Sequence, residues 1–536
     1  MDRELDRRGF LRLVGATGGV LAAGDLFTLM AHAAPAKETL VVAVDTTFGT
    51  LRPDFLGEIT AYTLKRLLYG NLVMWGARQR PDGSLIYDSE TVEHVLAESH
   101  RVSADRKTID FVLRPSARFA NGDRIDAQAV KAAYDWYFDL NGAGAGQLKV
   151  NGIPGKEHVV VVDERTLRLK LDRPVAWNVI GHAIILVAIV HAKEIRRHAT
   201  PGDPHGAKWL ETNTVSSGPY MIEEWRRGQS VTLKPNPHFP HPPHIKRVVL
   251  QIVPDQTTRR LLLERGEVDF ATRIATKDIV QLKGRPGLKV LHYSSTDTYW
   301  LGMTWSRPPF TDPHVRRAIA WAVPYKDIIR VAVHGLADRA RSTLPNNVEG
   351  YTEEFWPHET DLEKARQELA RSRYPRGFEV AVPVTAGLPI EEEGSVLIQQ
   401  ALAPLGIRLK LQKMPRGQKF SLLVKRQVDM GIFRWQPWVA DGGYWIHWAG
   451  LPKSFSNFFG YENPAAQVPG QEAITLPLGS RERLAKLREF QRVSCADIAH
   501  IPLATLFDNV AMRDSLEGYV YYIDAAEQLN RLRFRT

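Results

Sequence analysis

Along this chain, stretches that alternate apolar and polar residues are interleaved with stretches whose apolar residues recur every three to four positions, a mixture that predicts an α/β protein. The run TLVVAVD near residue 40 reads as a strand leading into a loop rich in Thr, Gly and Pro that extends through Pro53. Residues 64–73 have helical spacing. The segment DRKTIDFVLRPSARFANGDRIDAQAVKAAYDWYFD joins a strand, a turn at Asn121 and Gly122, and an amphipathic helix beginning near Asp126, with Ala129, Ala133 and Trp136 on one face. The NGAGAGQ that follows lacks the spacing of a dinucleotide fingerprint and reads as a flexible loop. Residues 159–171 alternate as a hairpin turning at Asp163, Glu164 and Arg165. Further on, a strand, a Pro/His loop and a second strand precede a helix ending at Gly266. ETDLEKARQELARS reads as a capped helix. FEVAVPV, VLIQQALAPLG and IRLKLQKM then read as strand, helix and strand of a βαβ unit, which implies a second α/β lobe.

One stretch, residues 175–192, is apolar enough to raise a membrane span, but Asn178, His182 and His191 interrupt it and a buried helix and strand are expected. No internal repeat and no low-complexity linker divides the chain, so its domains are expected to be interleaved.

With 536 residues the chain exceeds one ordinary core, and it has the aromatic content of a globular protein. Its net charge of +10 is dispersed without a run of five basic residues, which does not point to nucleic acid. The single cysteine, Cys495, excludes an internal disulfide framework and a multi-cysteine metal site, and reads as a buried thiol. His238, His241 and His244 stand in PHFPHPPH, where the prolines keep the chain extended; a surface loop is expected there, with no metal and no cofactor. The patterns G-x-S-x-G, H-E-x-x-H, the P-loop and a catalytic S-x-x-K are not found, so no enzyme activity is expected, and a periplasmic hydrolase stands as the rival class. The first residues resemble a twin-arginine export signal: Arg7 and Arg8, then Phe10 and Leu11, an apolar stretch, and the small-x-small site Ala31-His32-Ala33. Cleavage after Ala33, with no cysteine there to carry lipid, implies a soluble periplasmic product.

Five segments, in order, resemble family 5 of the bacterial extracellular solute-binding proteins, the dipeptide and oligopeptide receptor class. They are FVLRPSARFANGDRIDAQAVKAAYDW, SSGPYMIEEWRRGQSVTLKPNPHF, TTRRLLLERGEVDF, PPFTDPHVRRAIAWAV and VDMGIFRWQPWVADGG. Departures are Pro324-Tyr325 where the family usually has Asp-Arg, and Gly-Gly after Asp441 in place of Asp-Pro. The resemblance implies a two-lobed periplasmic binding protein fold of the class II type with an additional inserted α/β domain. Its expected parts are a signal peptide (1–33), a discontinuous first domain (37–60, 165–280 and 495–536), an inserted second domain (61–164) and a third domain (285–494). It also implies a monomeric substrate-binding component of an ABC importer, served by permease subunits in the inner membrane, that captures a peptide or peptide-like solute between the first and third domains. A nickel or metallophore complex, an opine or a sugar is the alternative cargo.

Candidate contacts cluster late in the chain, where Trp435, Trp438, Tyr444, Trp445 and Trp448 surround a lone carboxylate, Asp441. The resemblance implies that Asp441 receives a ligand ammonium, helped by backbone near Ala440 and Gly442; read from the residues alone, the tryptophans are core and Asp441 a turn residue. Arg434 and Arg426 are candidates for a ligand carboxylate, against an exposed-surface reading for each. Tyr299, Thr304 and Trp305 are expected where the chain crosses toward the cleft, and Thr46 to Phe48 follow as further lining candidates.

Overall fold

The computed structural model describes residues 38–55, 59–524 and 526–535, and the expected signal segment lies outside them. Strand β1 (Thr39–Val44) pairs in parallel with Arg247–Ile252 on one side and with Phe270–Ala271 on the other. Covered on both edges and largely buried, it has little use for strict alternation, which accounts for its continuous LVVAV. Helix α1 (Ile59–Leu68) ends well before residue 73, which opens the next strand.

The inserted unit is a four-stranded antiparallel sheet covered by helices. Its strands are β2 (Ala97–Val102), β3 (Thr108–Leu113), β4 (Val159–Val161) and β5 (Thr166–Lys170), in the order β2-β3-β5-β4. Strand β5 pairs with β3 and β4 in this sheet although it lies beyond residue 164. Helix α2 (Ala127–Leu140) starts where Asp126 accepts the Ala129 N–H at 2.8 Å and stops at Asn141, in the left-handed region with φ 47°. The glycine-rich segment expected to be a flexible loop is instead helix α3 (Ala143–Val150). Its glycines serve close packing: a Cβ on Gly144 would stand 2.6 Å from the Tyr137 ring and 2.9 Å from the Leu186 carbonyl. Residues 175–192 are buried as expected, but they form two short 3₁₀ turns (Ile180–Ala183 and Ile185–Val187) in place of a helix and strand. Side chains, not a ladder, satisfy this backbone: Asn71 donates to the His182 and Ile184 carbonyls at 2.9 Å each, and Arg66 donates to that of Ala183 at 2.7 Å.

The first lobe continues through β6 (Tyr220–Arg226), β7 (Ser230–Pro235), β8 (Arg247–Ile252), helix α4 (Gln256–Arg265), β9 (Phe270–Ala271) and helix α5 (Thr276–Leu282). Asp255 caps α4, and Gly266, at φ 72°, closes it as its spacing predicts. The 16-residue strand β10 (Leu288–Met303) then leaves this lobe. In the third lobe, helix α6 (Leu362–Ala370) is capped by Asp361; β11 (Glu379–Thr385), helix α7 (Pro389–Leu402) and β12 (Arg408–Met414) form the expected parallel βαβ unit. Strand β13 (Met430–Trp435), helix turn α8 (Gly442–Trp445) and helices α9 (Pro464–Thr475) and α10 (Arg481–Ala496) follow, and β14 (Ile501–Arg513) returns to the first lobe.

A mixed sheet in the order β13-β10-β14-β9-β1-β8-β7-β6 spans both lobes. Strands β10 and β14 connect them. Their outer halves give Tyr293, Val510 and Met512 to the first-lobe core, and their inner halves give Tyr299, Leu301, Met303, Ile501 and Leu503 to the third-lobe core. Between the halves the register slips, Ser294 facing Phe507 but Thr298 facing Thr505, so residues 295–297 bulge out of the ladder. Cys495 is buried at 3.8 Å from the Thr343 hydroxyl, and burial raises its pKa. No helix among the described residues is long and apolar enough to cross a membrane.

Candidate functional site

The bulge forms part of the lining of a cavity of about 480 Å³. One wall comes from the first lobe, with Thr60 and Thr63 of α1 and residues 272–277 before and in α5. The facing wall comes from the third lobe, with His334, residues 387–389 and Glu393. Asp297 and Tyr299 of β10, Arg434 and Gln436 at the end of β13, and Asp508 and Asn509 of β14 complete it with Tyr519, Tyr521 and Glu527.

Hydrogen bonds hold the bulge open. Ser295 Oγ donates to the Leu506 carbonyl at 2.7 Å and accepts the Asp297 N–H at 2.9 Å, while Asn347 donates to the Ser295 carbonyl at 2.7 Å. Asp297 thereby reaches the Arg434 guanidinium, with Nε 2.9 Å from Oδ1. Burial raises the Asp297 pKa against the pull of Arg434; for Arg434 burial works downward, but Asp297 and its neighbours raise the pKa overall. Two further carboxyls lack a cationic partner of this kind. Asp508 accepts from the Tyr521 hydroxyl, and Glu527 accepts from that of Tyr519 at 2.6 Å. Burial is the main cause that lifts Asp508 to about 6 and Glu527 to about 7, with the tyrosyl hydrogen bonds opposing it. Arg273 and Lys277 add exposed positive charge to the first-lobe wall. A lining of this kind offers acceptors to an ammonium and donors to a carboxylate across one small space.

Of the residues singled out in the sequence, Tyr299 and Arg434 line this cavity. The others lie elsewhere. Asp441 is 1% exposed: it caps α8 by accepting the Tyr444 N–H at 2.7 Å, and both its oxygens accept from Arg483 Nη2 at 2.6 Å. Arg483, itself 0% exposed, also donates to Glu349 at 2.6 Å. Buried, paired with a buried guanidinium and capping a helix, Asp441 organises the third lobe and lies outside the lining of the cavity. The Ala440 carbonyl accepts the Glu349 N–H at 3.1 Å. Trp435 packs between the lobes' cores, Trp438 meets Tyr62 edge-on at 5.7 Å, and Trp445 is buried against Trp300. The Tyr444 hydroxyl donates to Gln147 of the insert at 3.2 Å, and its ring lies 6.4 Å from that of Trp448. Thr304 and Trp305 sit at the far end of β10, where Trp305 lies under the Arg316 guanidinium at 3.9 Å. Arg426 is exposed and donates to the Pro452 carbonyl at 2.8 Å; Phe48 is in the first-lobe core. His241 and His244 are exposed, and among the described residues no His, Cys, Asp and Glu group is arranged to hold a metal.

The carboxyls the sequence reading passed over did leave a signal. SSTDT is a polar run inside an otherwise apolar strand, and Asp508 interrupts the apolar ATLFDNVAM.

Residues 91–457 match the family described as bacterial extracellular solute-binding proteins, family 5 Middle. The chain therefore belongs to the family 5 extracellular solute-binding proteins. Over 499 residues, 92% of this chain and 93% of the relative, it is 28% identical to the probable D,D-dipeptide-binding periplasmic protein DdpA of Escherichia coli K12. It is 27% identical to the glutathione-binding protein GsiB of the same strain over 77% of each chain. In fold it is similar to the ABC transporter-associated periplasmic binding protein DppA of Helicobacter pylori, solved with the peptide STSA, with a TM-score of 0.78, 21% identity and coverage of 94% of this chain and 99% of that one.

Replacing Asp441 by Asn removes one member of a buried pair and is expected to lower unfolding stability by about 3 kcal/mol or more, read by urea denaturation. Unchanged stability together with lost solute binding would return Asp441 to a ligand role.

Unfolded, Asp508 and Glu527 release their protons near pH 4. Folded, they keep them up to about 6 and about 7, so the native state binds more protons over this window and their contribution to stability grows as pH falls through it. Glu527→Gln is therefore expected to raise the melting temperature of the ligand-free protein at about pH 8 and to flatten its pH dependence down to about pH 6. A wild-type pH profile in the mutant would contradict this.

Proposed function

We propose that this family 5 receptor is the periplasmic capture component of an ABC importer, and that its cargo is a small peptide or peptide-like solute carrying both an amino and a carboxylate group. The observation that carries the reading is the mixed-charge cavity between the lobes, in which the half-buried Asp508 and Glu527 share one lining with Arg273, Lys277 and Arg434. An ammonium placed against these two carboxyls would supply the missing cation, and the guanidinium of Arg273 is an exposed fork suited to a carboxylate. The names of the relatives, D,D-dipeptide-binding and glutathione-binding, support the same solute class. A receptor of this kind needs no nucleophile: closing the lobes removes water from the solute, and the polar lining replaces its hydrogen bonds. The arginine pair Arg7 and Arg8 fits export by the twin-arginine route, and delivery to inner-membrane permease subunits as a monomer completes the reading.

Isothermal titration against D-alanyl-D-alanine, L-dipeptides and glutathione tests it. At least one is expected to bind, and N-acetylation of that solute to weaken it. Asp508→Asn or Glu527→Gln is expected to weaken it by about tenfold or more, as loss of a buried charge partner does. Affinity should also fall as pH drops through about 7, because a proton on Glu527 competes with the solute's ammonium. Wild-type affinity in both variants, or equal binding of the N-acetylated solute, would overturn the assignment.

A further inference from the structure

The inserted unit touches the third lobe at the C-terminal end of α9. The last carbonyls of a helix have no partner within it and form its negative end. Here they are shared between two sources. Arg483, from the third lobe itself, donates to the Ala473 and Leu476 carbonyls. The two between them are met by the insert and the segment that follows it: the Ala176 N–H donates to the Ile474 carbonyl at 3.1 Å, and Arg106 Nη1 donates to that of Thr475 at 2.9 Å. Arg106 is tied to the same segment through Nη2, 3.1 Å from the Val175 carbonyl. Its backbone lies in the left-handed region at φ 59°, uncommon for a residue with a side chain. Beside these bonds Trp177 meets the Tyr444 ring edge-on at 5.2 Å, and Tyr444 donates to Gln147.

We infer that this junction is a second closing contact, in which Arg106, Ala176 and Trp177 dock on the end of α9 whenever the cleft closes, so that residues outside the cavity help set solute affinity. The inference rests on the reading that the lobes open and close around a solute. The contact suits a reversible dock. Its carbonyls can be handed to water on opening, which also uncovers Tyr444 and Ile474, packed in one apolar cluster with Val175 and Trp177. Arg483 stays in place in both states, held by Asp441 and Glu349, and keeps the end of α9 formed as the receiving surface. A solute that closes the cleft must then bind more tightly than its cavity contacts alone allow, because closure also makes the dock.

The test uses the full mature chain with spin labels on Lys149→Cys of the insert and Val468→Cys of the third lobe, both exposed, while native Cys495 is buried. Pulsed electron–electron resonance reads the docked and undocked populations without any solute. Arg106→Met is expected to lower the docked-to-undocked ratio about tenfold, as loss of one hydrogen bond from a charged donor does, with partial restoration in Arg106→Lys. Tyr444→Phe, which keeps the ring, is expected to shift it less. Affinity for whichever titrated solute binds should fall in parallel with the ratio. Distance distributions unchanged in both Arg106→Met and Tyr444→Phe would overturn the docking contact. If the distances shift while no peptide solute binds, the dock stands and the cargo reading fails.

Discussion

Strands β10 and β14 must serve two hydrophobic cores at once, and the way they do so decides where the rest of the molecule places its polar groups. A continuous ladder through both lobes would form a single rigid sheet. The bulge at residues 295–297 lets each half align with its own core, at the cost of stranded backbone groups that Ser295 and Asn347 then satisfy. Because the bulge lies between the cores, it also faces the space between the lobes, and Asp297 is carried into that space with it. The cavity is thus a consequence of the crossing.

Acidic groups are handled in two different ways in the third lobe and at that crossing. Around Asp441 every charge has a fixed partner: the carboxylate, Arg483 and Glu349 are joined by short bonds, and the arrangement orders α8 and the end of α9. In the cavity Asp508 and Glu527 receive only tyrosyl hydroxyls, and burial holds their protons on at higher pH than usual. The first arrangement is complete within the chain. In the reading proposed above an external cation completes the second, and this places the proposed capture site here and not at the tryptophan cluster.

Elements fixed by local signals were legible in the sequence. Asp126 and Asp361 cap the helices their spacing predicts, Gly266 ends another, and the βαβ unit follows its alternating pattern. What the sequence did not reveal depends on residues far apart in the chain. The glycines of α3 look like a loop until Tyr137 and the Leu186 carbonyl are brought against them. Asp441 resembles a ligand carboxylate until Arg483, 42 positions away, takes its oxygens. The apolar run 175–192 shows its burial but not its conformation, because its carbonyls are met by side chains of Arg66 and Asn71. Asp297 and Asp508 are single acids within strand patterns, and only the crossing of β10 and β14 brings them to one cavity with Glu527.

The position of a bound solute tests the central claim most directly. In a crystal structure of the protein with a titrated peptide solute, the solute is predicted to lie between residues 272–277 and 387–389, its amino group against Asp508 and Glu527 and the bulge at Asp297 beneath it. A solute seated instead among Trp435, Trp438 and Tyr444, with the cavity filled by water alone, would contradict it.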